Sequence, residues 1–172
     1  EGMEISHPTP DHCFMAGVTM ANMHQKAQGF SIERPNALDP SGWPDLVESS
    51  RARADTVEPG MEELITSELV FAQQNWPAQI PHGVIHADMF KDNVFFLDGQ
   101  LSGVIDFYFA CNDYLAYDIA VGINAWCFDD DYRFDQRACS QLLNGYQSIR
   151  PLEAAELAAL PVLARGAALR FL

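Results

Sequence analysis

Hydrophobic residues recur at three- and four-residue spacing through most of the chain, which is the period of helices buried along one face. Thr9 and Pro10 form a helix start, as N-cap and first helical residue, and Gly29 is a helix stop. A loop-rich stretch, residues 29–43, follows. Together these signals predict helices near residues 10–28, 44–57, 60–75, 115–127, 135–148 and 153–171.

The centre of the chain has a different pattern, because short β-rich runs replace the helical spacing from Gly83 onward. These runs are residues 83–86, 94–97 and 101–105, and Asp98-Gly99 is a hairpin turn signal between the last two. The pattern therefore predicts an α+β fold, with a mainly helical body and a short β-hairpin at its centre.

Three oxygen-bearing side chains stand at the ends of the β runs. Asp88 opens a tight loop after the first run, Asn93 precedes the second, and Asp106 follows the third. Phosphoryl transfer needs a carboxylate near the acceptor hydroxyl and oxygen ligands that hold Mg²⁺ against nucleotide phosphates. The segment therefore predicts Asp88 as a catalytic base and Asn93 and Asp106 as metal ligands. The alternative is that the two aspartates only cap a loop and a turn.

Composition narrows the class of partner. The 172 residues include 24 acidic and 10 basic side chains, for a net charge of −14, which would repel nucleic acids and anionic membranes. The sequence shows no signal peptide and no apolar run near the roughly 20 residues that span a bilayer. The four cysteines lack zinc spacing, so we expect free, mostly buried thiols in a cytoplasmic protein.

The motif in the β-rich centre resembles that of a known superfamily. His86, Asp88, Asn93 and Asp106 match the catalytic loop and metal-binding motif of the aminoglycoside phosphotransferases and choline kinases, distant relatives of the protein kinases. Within that superfamily, the surrounding sequence resembles the bacterial homoserine kinase family. The similar segments are residues 34–36, 83–97, 101–113, 117–120, 124–128 and 161–172.

The resemblance implies the fold of a protein-kinase-like C-terminal lobe. It also implies a function, the ATP- and Mg²⁺-dependent phosphorylation of the L-homoserine hydroxyl in threonine biosynthesis. Complete members of the family carry an N-terminal lobe, with a loop over the phosphates and a strand lysine paired to a helix glutamate. Nothing in this sequence resembles that lobe, and the chain does not begin with Met. We therefore expect residues 1–172 to be the C-terminal catalytic lobe of a longer enzyme, incomplete for catalysis alone.

Residues beside the motif acquire expected roles from the same resemblance. His86 would hydrogen-bond the backbone near Asp106 and fix the loop, rather than act as an acid or base itself. Asp118 resembles the aspartate that braces the catalytic loop, although its place at the head of a helix also suits a helix cap. Lys91, three residues past Asp88, would contact the γ-phosphate or remain a solvated loop lysine.

Recognition of homoserine needs a cation for its carboxylate and an anion for its amine. Arg34 with Asn36, on the loop after the first helix, are the candidates for the carboxylate, and Asn112 with Asp113 for the amine. Each of these four residues could instead be a turn residue. His24, on the first helix, is expected to be a buried and satisfied histidine rather than a ligand.

Two alternatives remain open from the sequence. Another kinase of the same superfamily, acting on choline, an aminoglycoside or a different amino alcohol, would carry the same catalytic residues. A catalytically silent kinase-fold module, serving only in interactions, would keep the fold and lack the nucleotide-binding lobe.

Overall fold

The computed structural model describes residues 2–172 and has the predicted α+β architecture. Its helices are α1 (Pro10–Lys26), α2 (Trp43–Val57), α3 (Met61–Asn75), α4 (Leu115–Trp126), α5 (Gln136–Gln147) and α6 (Ala154–Arg170). Its strands are β1 (His82–Ile85), β2 (Val94–Leu97), β3 (Gln100–Val104) and β4 (Cys111–Tyr114). The predicted helices are confirmed, each within two residues of its expected ends. Within the described residues, no helix is long and apolar enough to cross a membrane.

The start of α1 is fixed by the residues that the sequence indicates. Thr9 Oγ1 accepts a hydrogen bond from the His12 backbone N–H (3.4 Å), and the Thr9 N–H donates to His12 Nδ1 (3.1 Å). This reciprocal pair is a capping box in which histidine occupies the position more usual for Glu or Gln. Two of the otherwise unpaired N–H groups at the helix start are thereby satisfied.

Helices α1 and α5 pack against each other at backbone distance, because each contributes a glycine. A Cβ at Gly17 would lie 2.1 Å from the Leu142 carbonyl oxygen, and one at Gly145 would lie 2.0 Å from the Phe14 carbonyl oxygen. Neither position has room for a larger residue unless the helices separate. The close contact brings His24, near the end of α1, against the last turn of α5.

Helix α4 runs through the centre of the core. Of its 12 residues, Asn124 alone is not fully buried, and Trp126 and Tyr117 are among the largest buried side chains of the described chain. A helix that is apolar on all sides is typical of such a central position. Asp118 lies in this helix with 0% of its surface exposed, so its charge requires hydrogen-bonding partners.

The predicted hairpin is confirmed as β2 and β3, with Asp98 and Gly99 at its turn. Both turn residues have positive φ, 51° and 74°, as a tight two-residue hairpin requires. Val94 pairs with Val104, and the N–H of the following residue, Ile105, donates to the carbonyl oxygen of the residue before β2 (3.0 Å). The residues that flank the hairpin, 93 and 106, therefore lie side by side.

A second sheet was not predicted. β1 pairs antiparallel with β4, where Ile85 faces Cys111 and Gly83 faces Asp113, so this pair is separate from the hairpin. The sequence analysis named no partner for β1, and the alternative that residues 112 and 113 are turn residues is wrong, because both lie in β4. Strand β4 has the sequence Cys-Asn-Asp-Tyr, whose polar centre gives no strand signal, and its pairing with β1 comes from tertiary contacts.

Candidate active site

The loop after β1 presents Asp88 from a backbone that is held in an uncommon conformation. Ala87, immediately before it, has φ 63°, in the left-handed region that non-glycine residues seldom occupy. The Ala87 N–H donates to Asp118 Oδ1 (2.8 Å), and the Ala87 carbonyl oxygen accepts from Arg170 Nη1 (3.0 Å). Both sides of this residue are clamped, which stabilises a conformation that would otherwise be unfavourable.

Asp88 itself is half-buried, and its electrostatic surroundings make it more basic than usual. Burial is the main cause of a raised pKa for this carboxyl. The positive charge of Arg170 and the His86 ring oppose the rise in pKa, while the carboxylates of Asp106 and Asp92 add to it. A carboxylate with a raised pKa is better suited to accept a proton from a hydroxyl group.

Asn93 and Asp106 lie next to Asp88, at the two ends of the hairpin. Asn93 Nδ2 donates to the Asp88 carbonyl oxygen (2.8 Å) and to Asp88 Oδ2 (3.3 Å). Because the nitrogen of the Asn93 amide makes these contacts, its oxygen is the atom that could ligate a metal. Asp106 is exposed, has φ 61°, and accepts the Tyr108 N–H at Oδ1 (3.3 Å). The structure thus brings together the three residues that the motif singled out.

The chemistry of these side chains can be compared with the requirements of Mg²⁺. Within residues 2–172, no group of three or more His, Cys, Asp or Glu side chains is arranged to hold a metal ion. Mg²⁺ is usually bound through one or two carboxylates together with substrate phosphates, rather than by a protein cage. One carboxylate, Asp106, and one amide oxygen, Asn93, fit that smaller ligand set.

His86 connects the loop to the hairpin. Its Nδ1 accepts the Asp88 backbone N–H (3.3 Å), which leaves Nε2 to donate to the carbonyl oxygen of Ile105 (3.0 Å). The ring also packs on Phe107, with 4.6 Å between centroids. His86 is 3% exposed and both its ring nitrogens are engaged, so it connects the loop at Asp88 to the end of the hairpin beside Asp106.

Asp118 binds the backbone of the same loop with both of its carboxylate oxygens. Its Oδ2 accepts the His86 backbone N–H (3.0 Å) and His24 Nε2 (2.9 Å), in addition to the Ala87 contact at Oδ1. Burial alone would raise the pKa of this carboxyl, but the hydrogen bond and charge of His24 and the backbone N–H of His86 hold it below its ordinary value. The helix-cap expectation is wrong, because the N-cap of α4 is Tyr114 and no side chain caps it.

A chain of buried hydrogen bonds continues from Asp118 to the far side of the helical body. Tyr146 Oη lies 2.8 Å from His24 Nδ1, and Arg150 Nη1 donates to the same hydroxyl (3.2 Å). The Arg150 guanidinium also forms two hydrogen bonds with Glu156, at 2.9 and 3.2 Å. Arg150, Tyr146, His24 and Asp118 are thereby linked in one chain of hydrogen bonds. His24 is therefore buried and satisfied, as the sequence indicated.

The four residues predicted to bind substrate form one interconnected group. Arg34 and Asn112 exchange hydrogen bonds (Arg34 N–H to Asn112 Oδ1, 2.8 Å; Asn112 N–H to the Arg34 carbonyl, 2.7 Å), and Asn36 Nδ2 donates to Asp113 Oδ2 (2.7 Å). The Arg34 guanidinium donates to the carbonyl oxygens of residues 108 and 110. These contacts fasten the loop after α1 to β4 and to the segment that follows Asp106.

Lys91, the predicted phosphate contact, lies in a short 3₁₀ turn, Lys91–Asn93. It lines two surface cavities, of about 390 and 150 Å³. The first also includes Asp92 and Glu4, and the second includes Asp129 and several other acidic residues. Its ammonium group therefore lies in an acidic environment, on a turn that continues directly into Asn93.

Arg170 is the site residue that sequence reasoning missed. Its guanidinium contacts the residue before the base, although it lies 83 positions further along the chain than Ala87. As the last residue of α6, it reads in sequence as an ordinary basic residue at a helix end. The only available signal was its place within the terminal segment that resembled the family.

Comparison with solved structures defines the class of the fold. The chain aligns over 99% of its length with 53% of an amicoumacin kinase solved with AMP-PNP, Ca²⁺ and amicoumacin, at a TM-score of 0.69 and 17% identity. An aminoglycoside-3'-phosphotransferase of type VIII gives a TM-score of 0.66 at 16% identity, over 96% of this chain and 66% of that one. The fold is that of the kinase-like small-molecule phosphotransferases.

Sequence comparison identifies the family within that class. The model of the phosphotransferase enzyme family matches residues 1–152, and the chain belongs to that family. It is 56% identical over 171 residues to a homoserine kinase of Rhizobium rhizogenes, and 53% identical over 172 residues to one of Chelativorans. These alignments cover 99% and 100% of the chain and 53% of each relative, so the chain spans about half the length of the curated relatives it matches.

Proposed function

We propose that this chain is the catalytic half of a homoserine kinase, which transfers the γ-phosphate of ATP to the hydroxyl group of L-homoserine. The observation that carries the proposal is the placement of Asp88, Asn93 and Asp106 together at the ends of one hairpin. The identity of 53–56% to homoserine kinases over essentially the whole chain supports the choice of acceptor.

In the proposed reaction, Asp88 orients the acceptor hydroxyl and takes its proton. The hydroxyl oxygen forms a bond to the γ-phosphorus, the bond from that phosphorus to the β–γ bridging oxygen breaks, and ADP leaves. Asn93 and Asp106 would hold Mg²⁺, which would neutralise charge on the phosphates. His86 and Asp118 fix the loop, so that the base stays in position while the phosphoryl group moves.

We also propose that residues outside this chain supply most of the nucleotide site. Relatives nearly twice as long support this proposal, as does the acidic character of the chain. Lys91 is the candidate within the chain for a phosphate contact. Asn112 and Asp113 stay candidates for the acceptor amine, and Arg34 with Asn36 for its carboxylate, although hydrogen bonds within the protein already engage all four.

The test is a substrate panel. A polypeptide that joins this chain to its nucleotide-binding lobe is assayed for ADP release with L-homoserine, choline, ethanolamine and an aminoglycoside. We expect kcat/KM for homoserine to exceed the others by at least about 100-fold, because a site built for a charged amino acid loses several polar contacts with each alternative. Equal or faster turnover of choline or ethanolamine would exclude homoserine as the acceptor.

A further inference from the structure

An acceptor with a carboxylate needs a cation near the base, and the protein has few to offer. Its net charge is −14, and of its 10 basic residues many are already engaged. Four arginines form ion pairs with carboxylates: Arg51 with Glu62, Arg133 with Asp131, Arg150 with Glu156 and Arg165 with Glu68. A fifth, Arg34, donates to two backbone carbonyls. Five of the ten basic residues therefore neutralise or position the protein itself.

Arg170 differs from these arginines in both position and partners. Its Nη1 donates to the carbonyl oxygen of Ala87, one residue before Asp88, and the guanidinium also interacts with the buried Tyr117 hydroxyl, although its Nε makes no hydrogen bond of good geometry within the described residues. The guanidinium carbon lies 5.2 Å from the ring centroid of Phe109 and 4.8 Å from that of Phe171. One nitrogen of the guanidinium is fixed, and no carboxylate of residues 2–172 forms an ion pair with it.

The surroundings of Arg170 also provide space. It lines a cavity of about 570 Å³ between α2, α3 and the end of α6, together with Trp43, Val47, Arg53 and Leu169. The same side chain touches the catalytic loop through the Ala87 carbonyl, so Arg170 contacts both the cavity and the loop that carries Asp88.

We propose that Arg170 is a specificity-determining residue, whose guanidinium binds the carboxylate of the amino-acid acceptor while the acceptor hydroxyl lies at Asp88. This inference rests on the proposed function and adds to it the group that selects an amino acid over a simple amino alcohol. Arg170 binds the backbone of the residue next to Asp88, and the proposal requires one acceptor molecule to reach both side chains. A planar fork also matches a carboxylate better than an ammonium group would.

The experiment compares two acceptors that differ only in the carboxylate, L-homoserine and 3-amino-1-propanol. In Arg170→Gln, kcat/KM for homoserine should fall by about 10- to 150-fold, mainly through KM, which is the loss expected for one hydrogen-bonded charge. The value for 3-amino-1-propanol should change by less than about 3-fold, since that acceptor has no group for Arg170 to bind. Arg170→Lys keeps the charge without the fork and should give an intermediate preference.

Arg34→Gln tests the competing assignment, because Arg34 is the other candidate for the acceptor carboxylate although its guanidinium donates to backbone carbonyls. We expect its effect to be equal for the two acceptors, with their ratio unchanged. Equal losses for both acceptors in Arg170→Gln would overturn the proposal and leave Arg170 as a support for the loop. A collapse of the ratio in Arg34→Gln would overturn it in favour of Arg34.

Two controls distinguish an unfolded variant, and a wrong choice of acceptor, from a failure of this inference. Thermal unfolding by circular dichroism establishes that each variant is folded, and if Arg170→Gln is not, the same ratio is measured in Arg170→Lys. A wild-type protein that shows no preference for homoserine over 3-amino-1-propanol would overturn both this inference and the proposed function. Preference in the wild type that Arg170→Gln leaves intact would overturn this inference alone.

Discussion

Asp88 lies on the short loop that Asp118 binds, and the pKa values of the two carboxyl groups are shifted in opposite directions. Asp118 is completely buried, yet its pKa is held below the ordinary value. Asp88 is only half-buried, yet its pKa is raised. The difference lies in the hydrogen-bond donors. Asp118 accepts two backbone N–H groups and an imidazole, whereas the contact described for the Asp88 carboxylate is a 3.3 Å bond from an amide.

Asp118 is therefore a carboxylate that stabilises the structure, whereas Asp88 is one that retains its affinity for a proton. Burial raises the pKa of a carboxyl group unless donors compensate the lost hydration. Where compensation is complete, as for Asp118, the charge is stable and the backbone around it is fixed. Where it is incomplete, as for Asp88, the group retains its affinity for a proton. The rigid residue supports the loop on which the reactive one is carried.

The largest expected effect is the loss of turnover in Asp88→Asn. We expect kcat to fall by about 10²- to 10⁴-fold, because the proposed general base is removed while the size of the side chain is kept. The free energy of unfolding near neutral pH should stay the same or rise slightly, since the raised pKa shows that ionised Asp88 is disfavoured in the folded state. Steady-state kinetics and urea unfolding measure the two quantities. Unchanged turnover would favour a catalytically silent module.

Asp118→Ala should differ from Asp88→Asn in that its main effect is on the free energy of unfolding. Removing this carboxylate leaves two backbone N–H groups and His24 without their acceptor, and we expect a loss of at least about 3 kcal/mol in the free energy of unfolding. Asp131→Ala is the control, because Asp131 is an exposed carboxylate paired with Arg133, and such pairs contribute about 0–1 kcal/mol. A loss no greater than that of the control would contradict the bracing role.

The smallest effect is a separation between the pH dependence of activity and that of stability. In the proposed reaction Asp88 must be ionised, and its raised pKa means that turnover should decline at a pH above the ordinary aspartate value of 3.8. Asp118 has a lowered pKa, so its contribution to stability is present above its unfolded value and is lost only as the pH falls through the lower folded value. We therefore expect an acidic range in which the protein is folded but slow. Kinetics and circular dichroism over the same buffers measure both limits, and coincident limits would refute the separation.

The helices and the hairpin could be predicted because their signals are local. Thr9 with Pro10 marks the start of α1, and Asp98-Gly99 supplies the two positive φ angles of the hairpin turn. The motif placed Asp88, Asn93 and Asp106 correctly relative to one another, since the hairpin register follows from its turn. Short-range chemistry was sufficient for these features.

The remaining features depend on contacts between distant parts of the chain. Strand β4 exists because β1 pairs with it, and its polar sequence gives no sign of this. Asp118 follows the start of a helix and reads as a cap, but the backbone that it binds precedes it by about 30 residues. Arg170 reads as a helix-end charge until the fold brings it to Ala87. In each case the sequence supplies the residue type and tertiary packing supplies the partner.

The left-handed backbone at Asp106 limits how this position can evolve. The residue must tolerate φ 61°, accept the N–H of Tyr108 with its side chain, and still present a free oxygen outward. Aspartate and asparagine are the side chains that meet the first two demands readily, and of these only aspartate carries a charge. A longer carboxylate such as Glu would preserve charge but not conformation. The backbone conformation and the need for a charge together favour aspartate, so we expect few substitutions at position 106 to be neutral.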